Sequence, residues 1–179
     1  MKLLKNVGYL LSVLFLGLAL LGLFLPSTAR VERRLMVEAP PADVIALIAS
    51  PQEFLRWSPW GLATAGTQAE LEGPPSGPGA RVRWSGAPLP TGYGWQEVLE
   101  VTPERRVRMQ MQLGLYGVVT STFDLYQTAG EVGTQVAWTF EVDYGFNLAG
   151  RYLALGFEAL IGPDLERGLA NLRVLAKRG

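Results

Sequence analysis

Gly133-Thr134-Gln135-Val136-Ala137-Trp138-Thr139-Phe140-Glu141-Val142-Asp143 sets a large apolar side chain at every second position from Val136 to Val142. Successive side chains of a strand point to opposite faces, so Val136, Trp138, Phe140 and Val142 share one face while Gln135, Ala137, Thr139 and Glu141 share the other. The pattern predicts a half-buried antiparallel strand, with a core on one side and water on the other. Upstream, Val107, Met109, Met111 and Leu113 alternate with Arg108, Gln110 and Gln112 in the same way. Tracing the alternation back predicts a meander of strands near residues 67–72, 80–85, 92–101, 105–113, 117–127 and 133–143. Gly73-Pro74-Pro75-Ser76-Gly77-Pro78-Gly79 has strand patterns on both sides and reads as a long hairpin connection, not as a linker. Ala129-Gly130-Glu131 is a shorter connection of the same kind.

Downstream of the quoted stretch the period changes. From 148 to 177, Leu153, Phe157, Leu160, Ile161, Leu165, Leu169, Leu172 and Ala176 recur on one helical stripe. Gly162-Pro163 interrupts it, so a kink or a break is expected there, with Asp164 and Glu166 suited to the positive end of the second half. On the other side of the meander, Val31, Arg33, Leu35 and Val37 alternate with Glu32, Arg34, Met36 and Glu38 as a first strand, which Pro40 and Pro41 stop. Val44, Ile45, Leu47 and Ile48 then form a short helix over 42–50, and Pro51 opens a second that runs through Phe54 and Leu55 toward Trp57. Residues 30–179, about 150 in all, suffice for one domain with one core.

Residues 1–29 form a separate unit, an anchor and a short linker. Within them, 7–25 is a run of nineteen residues without a charge, nine of them leucine. As a helix it spans about 28 Å, close to the roughly 30 Å hydrocarbon core of a bilayer. Its thirteen Leu, Val and Phe residues favour insertion by several kcal/mol at roughly −0.3 to −0.6 kcal/mol each. Ser27-Thr28-Ala29 offers small residues for signal peptidase, and Lys2 and Lys5 form a basic amino terminus, yet the run is longer than the usual signal core of about 7–15 residues. A retained single-pass anchor is therefore expected, with lipid contact through residues 7–25. Arg30, Arg33 and Arg34 on the far flank pull the positive-inside count the other way. The short, signal-like amino terminus nevertheless favours an extracytoplasmic domain.

Composition narrows the chemistry. The 179 residues include no cysteine and no histidine. That excludes disulfides, thiolate nucleophiles, Ser-His-Asp arrangements and the common zinc sites. Beyond Lys2 and Lys5, fourteen basic residues face sixteen acidic ones with no basic cluster, which argues against a nucleic-acid partner. No nucleotide-binding loop or nucleophile elbow is present; Gly92-Tyr93-Gly94 lacks a third glycine and a following helix. Glu141 and Asp143 fall opposite the apolar face and read as solvated carboxylates. No catalytic residue, metal ligand or cofactor is assigned.

Several blocks carry a resemblance: Val31-Glu32-Arg33 leading into Ala39-Pro40-Pro41-Ala42-Asp43-Val44, then Trp57-Ser58-Pro59-Trp60, Gly130 with Gly133-Thr134-Gln135-Val136, and most specifically Ile161-Gly162-Pro163-Asp164-Leu165-Glu166-Arg167-Gly168-Leu169-Ala170-Asn171-Leu172. With the order of elements, they make the chain resemble the START-like (SRPBCC) superfamily, in its polyketide cyclase/dehydrase and lipid-transport branch, among small bacterial members with an N-terminal transmembrane segment. The resemblance implies an α+β helix-grip fold: a curved antiparallel sheet of about seven strands around a long C-terminal helix, two short helices after the first strand, and a bacterial inner-membrane anchor. It also implies a hollow between sheet and helix. Val82, Trp84, Met109, Met111, Phe123, Trp138 and Phe140 are the inward positions that would wall it, and the same residues would equally serve a packed core. Trp57 and Trp60 are candidates for its rim, or for locking the second helix onto the sheet. Tyr93 and Trp95 share a strand face and are read either as cavity residues or as cross-strand aromatics. Arg151 and Tyr152 open the long helix near the expected entrance, where Arg151 either grips an anionic group or pairs with Asp143 or Glu158. Three functions stay open: a membrane-tethered binder of a lipid, quinone or aromatic metabolite; a cyclase or aromatase acting through Arg151, Tyr93 or Tyr144; and a module with a filled core that meets an unspecified protein partner.

Overall fold

The alternating segments pair edge to edge into one antiparallel sheet. The computed structural model describes residues 2–60, 68–86, 92–114, 117–127 and 133–177. Within them run α1 (Lys2–Phe24), β1 (Thr28–Val37), α2 (Pro41–Ala49), α3 (Pro51–Trp57), β2 (Gln68–Glu72), β3 (Arg81–Ser85), β4 (Tyr93–Thr102), β5 (Arg106–Leu113), β6 (Val118–Tyr126), β7 (Thr134–Asp143) and α4 (Leu148–Ala176). The strand order is β1-β7-β6-β5-β4-β3-β2, so the first strand closes onto the last and the meander fills the rest. This is the seven-stranded helix-grip arrangement expected above. The connection expected at 129–131 lies outside the described residues.

Register follows the apolar pattern because a one-residue slip would turn every side chain to the wrong face. Val31 pairs with Phe140, Arg33 with Trp138 and Leu35 with Val136. Phe123 faces Trp138 on the next strand, and Met111 faces Val119. In β4 a bulge between Val98 and Glu100 inserts Leu99, so Val98 opposite Met109 and Val101 opposite Val107 both stay on the concave face although they are three apart. Leu99 is turned outward and exposed.

The helices cover the concave face. Ser50 accepts a hydrogen bond from the Glu53 amide and Pro51 occupies the first turn, which starts α3 directly after α2. Trp57 Nε1 donates to the Leu47 carbonyl at 3.1 Å, and Asn171 Nδ2 donates to the Trp57 carbonyl at 3.0 Å, which ties α2, α3 and α4 together. Across α4, Arg33 donates from Nη2 to Glu158 at 2.5 Å and from Nε to Glu166 at 2.6 Å. The guanidinium lies over Gly162, where any β-carbon would collide with it. Gly168 likewise admits the Trp138 ring against the helix.

Of the kink or break expected at Gly162-Pro163, the break does not occur, and two positions of the expected stripe are corrected. α4 runs unbroken through Pro163: Pro163 and Ala159, whose carbonyl loses its helical partner to the ring, are both exposed, and a carbonyl open to solvent escapes the cost of a buried unpaired one. Leu153 and Leu160 are exposed, whereas Gly162 and Gly168 are buried. The rest of the expected stripe holds, with Phe157, Ile161, Leu165, Leu169 and Leu172 buried beside the two glycines.

α1 carries a 20-residue segment, Lys5–Phe24, of mean hydropathy 2.4, long and apolar enough to cross a membrane. Between residues 5 and 24 only Ala19 and Gly22 are not exposed. Gly22 sits against Leu148 and the Tyr152 ring.

Candidate functional site

The concave face is built from alternate residues of β3 to β7. Trp84, Met109, Met111, Phe123, Trp138 and Phe140 all point into it and are buried, as their alternation predicted. Phe123 stacks on Trp138 with ring centroids 4.8 Å apart, and Trp138 meets Phe140 edge-on at 5.5 Å. Trp57 touches Phe123 and Trp138 at 5.8 and 5.4 Å, and Trp60 touches Trp138 and Phe140 at 6.0 and 5.4 Å. The indoles are also held by hydrogen bonds: Trp138 Nε1 to Ser121 Oγ at 2.8 Å, and Trp60 Nε1 to Asp164 Oδ2 at 3.2 Å. This half of the interior, beneath α3 and α4, is a continuous set of touching rings.

The other half, toward β3 and β4, differs. Gln96 is fully buried on the concave face, in register between Val82 and Met111. Its Nε2 donates to Met109 Sδ at 3.0 Å, while its Oε1 has no partner. The orientation of the amide is fixed by chemistry, since a thioether only accepts and so takes the nitrogen, leaving the oxygen free. An unsatisfied buried carbonyl costs about 1–3 kcal/mol. Gln96 was not among the residues singled out from the sequence. Placing Tyr93 and Trp95 inside puts Gln96 outside, and the signal that decides the phase is Val98, which must face Met109.

Tyr93 and Trp95 consequently lie on the convex face, not on the concave one. Tyr93 is exposed; Trp95 Nε1 donates to Gln112 at 3.2 Å, and the Arg81 guanidinium stacks over its ring at 4.6 Å. They read as the cross-strand aromatics already considered. With Trp84, Gly94, Gln68, Ala69 and Ser85, and the charged Glu70 and Arg83, they border a cleft of about 420 Å³ at the β2-β3-β4 end. Trp84 lies so closely on Gly94 that a β-carbon there would strike its ring. A larger cleft of about 700 Å³ lies at the opposite end of the sheet. Glu104, Arg105, Arg106 and Asp124 line it, which makes it a charged turn groove unsuited to an apolar guest.

Arg151 and Tyr152 take a third position. Arg151 Nε donates to the Gly145 carbonyl at 2.8 Å, and its Nη1 reaches the carbonyls of Leu23 at 2.8 Å and Leu25 at 3.2 Å. Tyr152 Oη donates to the Leu18 carbonyl at 2.6 Å. Neither Asp143 nor Glu158 pairs with Arg151: Asp143 accepts from the Gly145 amide, and Glu158 is held by Arg33. The open carbonyls at the end of α1 attract the cation, as helix C-termini do.

Charge elsewhere on β1 is organised in clusters. Donating hydrogen bonds to Glu158 and then Glu166 raises the Arg33 pKa further. On the convex face, hydrogen bonding from Arg34 and then Arg30 outweighs desolvation and lowers the Glu32 pKa below its ordinary 4.5. Among the described residues no group of three or more carboxylates could hold a metal.

A family model described as polyketide cyclase/dehydrase and lipid transport matches residues 28–177. No curated protein matches the chain. Solved structures share the fold. A putative uncharacterized protein from Rhizobium leguminosarum is 19% identical with a TM-score of 0.58, covering 85% of this chain and 96% of its own. Norcoclaurine synthase from Thalictrum flavum, solved with dopamine and hydroxybenzaldehyde, is 17% identical with a TM-score of 0.61, covering 84% and 87%. A protein of unknown function from Staphylococcus aureus is 12% identical with a TM-score of 0.61, covering 84% and 94%.

Proposed function

Because the chain belongs to the polyketide cyclase/dehydrase and lipid-transport family, within the START-like (SRPBCC) superfamily, we propose that it binds an apolar small molecule bearing one hydrogen-bond donor. Gln96 carries this reading. Its free Oε1 is a lone acceptor in a wall of Val82, Val98, Met109 and Met111, and a phenol, quinol or lipid hydroxyl is the group that would complete it. Thioethers on two of the four wall residues suit guests of varied shape. Trp84 forms the side wall toward the β2-β3-β4 cleft, and the ring cluster of Trp57, Trp60, Phe123, Trp138 and Phe140 forms the floor. α1 anchors the domain in a bacterial inner membrane, with the basic Lys2 and Lys5 end inside and the domain extracytoplasmic. The anchor keeps the site beside the pool in which apolar molecules dissolve.

The test uses the full chain purified from bacterial membranes in detergent. Native mass spectrometry with organic extraction should reveal a stoichiometric apolar adduct that bears a hydroxyl. Titration through intrinsic tryptophan fluorescence should then rank a long-chain phenol above its methyl ether by about tenfold, the worth of one buried hydrogen bond. Equal affinities for the two, or a chain that stays empty against both, would overturn the assignment of Gln96.

A further inference from the structure

We propose that the end of the domain from which α1 emerges is itself a bilayer-docking surface, seated in the interface of the membrane that α1 crosses; this rests on the anchor reading of α1. The first observation is where the helix joins the domain. Tyr152 bonds to the Leu18 carbonyl and Gly22 packs on Leu148, so contact with α4 begins seven residues before the apolar run ends at Leu25. That overlap is about 10 Å of helix. A helix that crosses the hydrocarbon with its full run therefore draws the first turn of α4 down to the depth of its own last apolar turns.

The second observation is the surface found there. Phe24 and Phe146 are 86% and 91% exposed, and Tyr93 and Val118, at the adjoining strand ends, are also exposed. The strand ends and described turns on this side, Ser27, Gln68, Ser85, Gly86, Gly92, Leu113, Gly114, Gly117 and the stretch 143–147, contain one charge, Asp143, whose Oδ1 accepts the Gly145 amide. The opposite end carries Glu38, Glu72, Arg81, Glu104, Arg105, Arg106 and Lys177. Such polarity between two ends of one sheet is what a boundary between lipid and water demands. The third observation is the placement of Arg151 beside the helix end, where a guanidinium on the carbonyls of Leu23 and Leu25 suits the headgroup level, with the Tyr152 hydroxyl bonded deeper, at Leu18. The rim of the β2-β3-β4 cleft, with Gln68, Ser85 and Tyr93, belongs to the same end. A docked domain would pass an apolar guest between lipid and cleft without a step through water.

The chain has no cysteine, so single substitutions label cleanly. Full-length Leu14→Cys, Phe146→Cys, Val118→Cys and Gln127→Cys, each carrying an environment-sensitive fluorophore, are reconstituted into phosphatidylcholine/phosphatidylglycerol vesicles with plain or brominated acyl chains. The expected result is loss of most of the emission at Leu14, partial loss with a blue shift at Phe146 and Val118, and no change at Gln127. Quenching at Leu14 without quenching at Phe146 and Val118 would sink the docking surface and leave the anchor standing. Equal quenching at Gln127 would also sink it, since contact would then not be confined to one end. An unquenched Leu14 would remove anchor and docking together.

Discussion

A carbonyl oxygen sealed in an apolar wall is a standing cost of about 1–3 kcal/mol unless something donates to it, and Gln96 Oε1 is in that position. Replacing Gln96 by Met keeps the length of the side chain and removes the cost. Gln96→Met should therefore raise the thermal midpoint of the ligand-free chain, by the equivalent of about 1 kcal/mol, while weakening a phenolic guest about tenfold. A scan with and without added phenol checks both halves, and a variant that loses stability would show the amide to be internally satisfied. Glu32 supports a different kind of prediction. Its carboxylate is held by Arg34 and Arg30, and its folded pKa lies below the ordinary 4.5. The stabilisation is thus present above that value and is lost as pH falls through the lowered one. The gap in thermal midpoint between the native chain and Glu32→Gln should be full at neutral pH, worth no more than about 1 kcal/mol for so solvent-exposed a cluster, and should close in acid below 4.5.

Between elements, the clasp of Arg33 on Glu158 and Glu166 binds the first strand to the last helix. The Arg33 side chain is 26% exposed and its partners 60% and 62%, so solvent screens the pairs and Arg33→Met should cost only about 1 kcal/mol. Denaturant titrations at low salt and at about 1 M salt check this, because most of the gap should vanish where the screening length falls to about 3 Å. At this scale the sequence was highly legible wherever a period of two meets a half-buried sheet: all seven strands, both short helices and α4 follow from alternation, proline placement and helical spacing. It was illegible where a local irregularity changes phase. The Leu99 bulge keeps both Val98 and Val101 inward, so alternation counted back from Val101 puts Tyr93 and Trp95 inside, and only the count from Val98 puts Gln96 there. Pro163 looked like a break because its effect depends on which face it occupies, and that is set by Gly162 and Gly168 packing against Arg33 and Trp138. The concave positions Met109, Met111, Phe123, Trp138 and Phe140 were readable for the same reason as their strands. The partners that Arg151 and Tyr152 find on and just after α1 were not, since they sit more than 120 residues away in sequence.

For the whole molecule, those two residues decide whether the domain swings on α1 or is fixed to it. The linker between α1 and β1 is short, Leu25 to Ser27, and Ser27 is already tied by its carbonyl to the Tyr144 amide at 2.8 Å. Arg151 adds bonds to the helix end and Tyr152 one to Leu18, so α1 meets the domain through contacts spread over two helical turns. A single hinge residue would allow a cone of orientations; a two-turn contact with a guanidinium cap does not. Spin labels at Leu16→Cys on α1 and Val174→Cys on α4, both exposed sites, should therefore give a narrow distance distribution in lipid nanodiscs. Adding Arg151→Met and Tyr152→Phe removes the polar contacts and keeps most of the packing volume, and the distribution should then broaden without loss of the thermal transition. The Tyr152→Phe change alone should do less, because it forfeits one hydrogen bond while the ring still covers Gly22. A distribution already broad in the native chain would mean that α1 is flexibly tethered to the domain. Under the binding function proposed above, the domain would then meet a guest in many orientations, and a fixed cleft orientation would play no part.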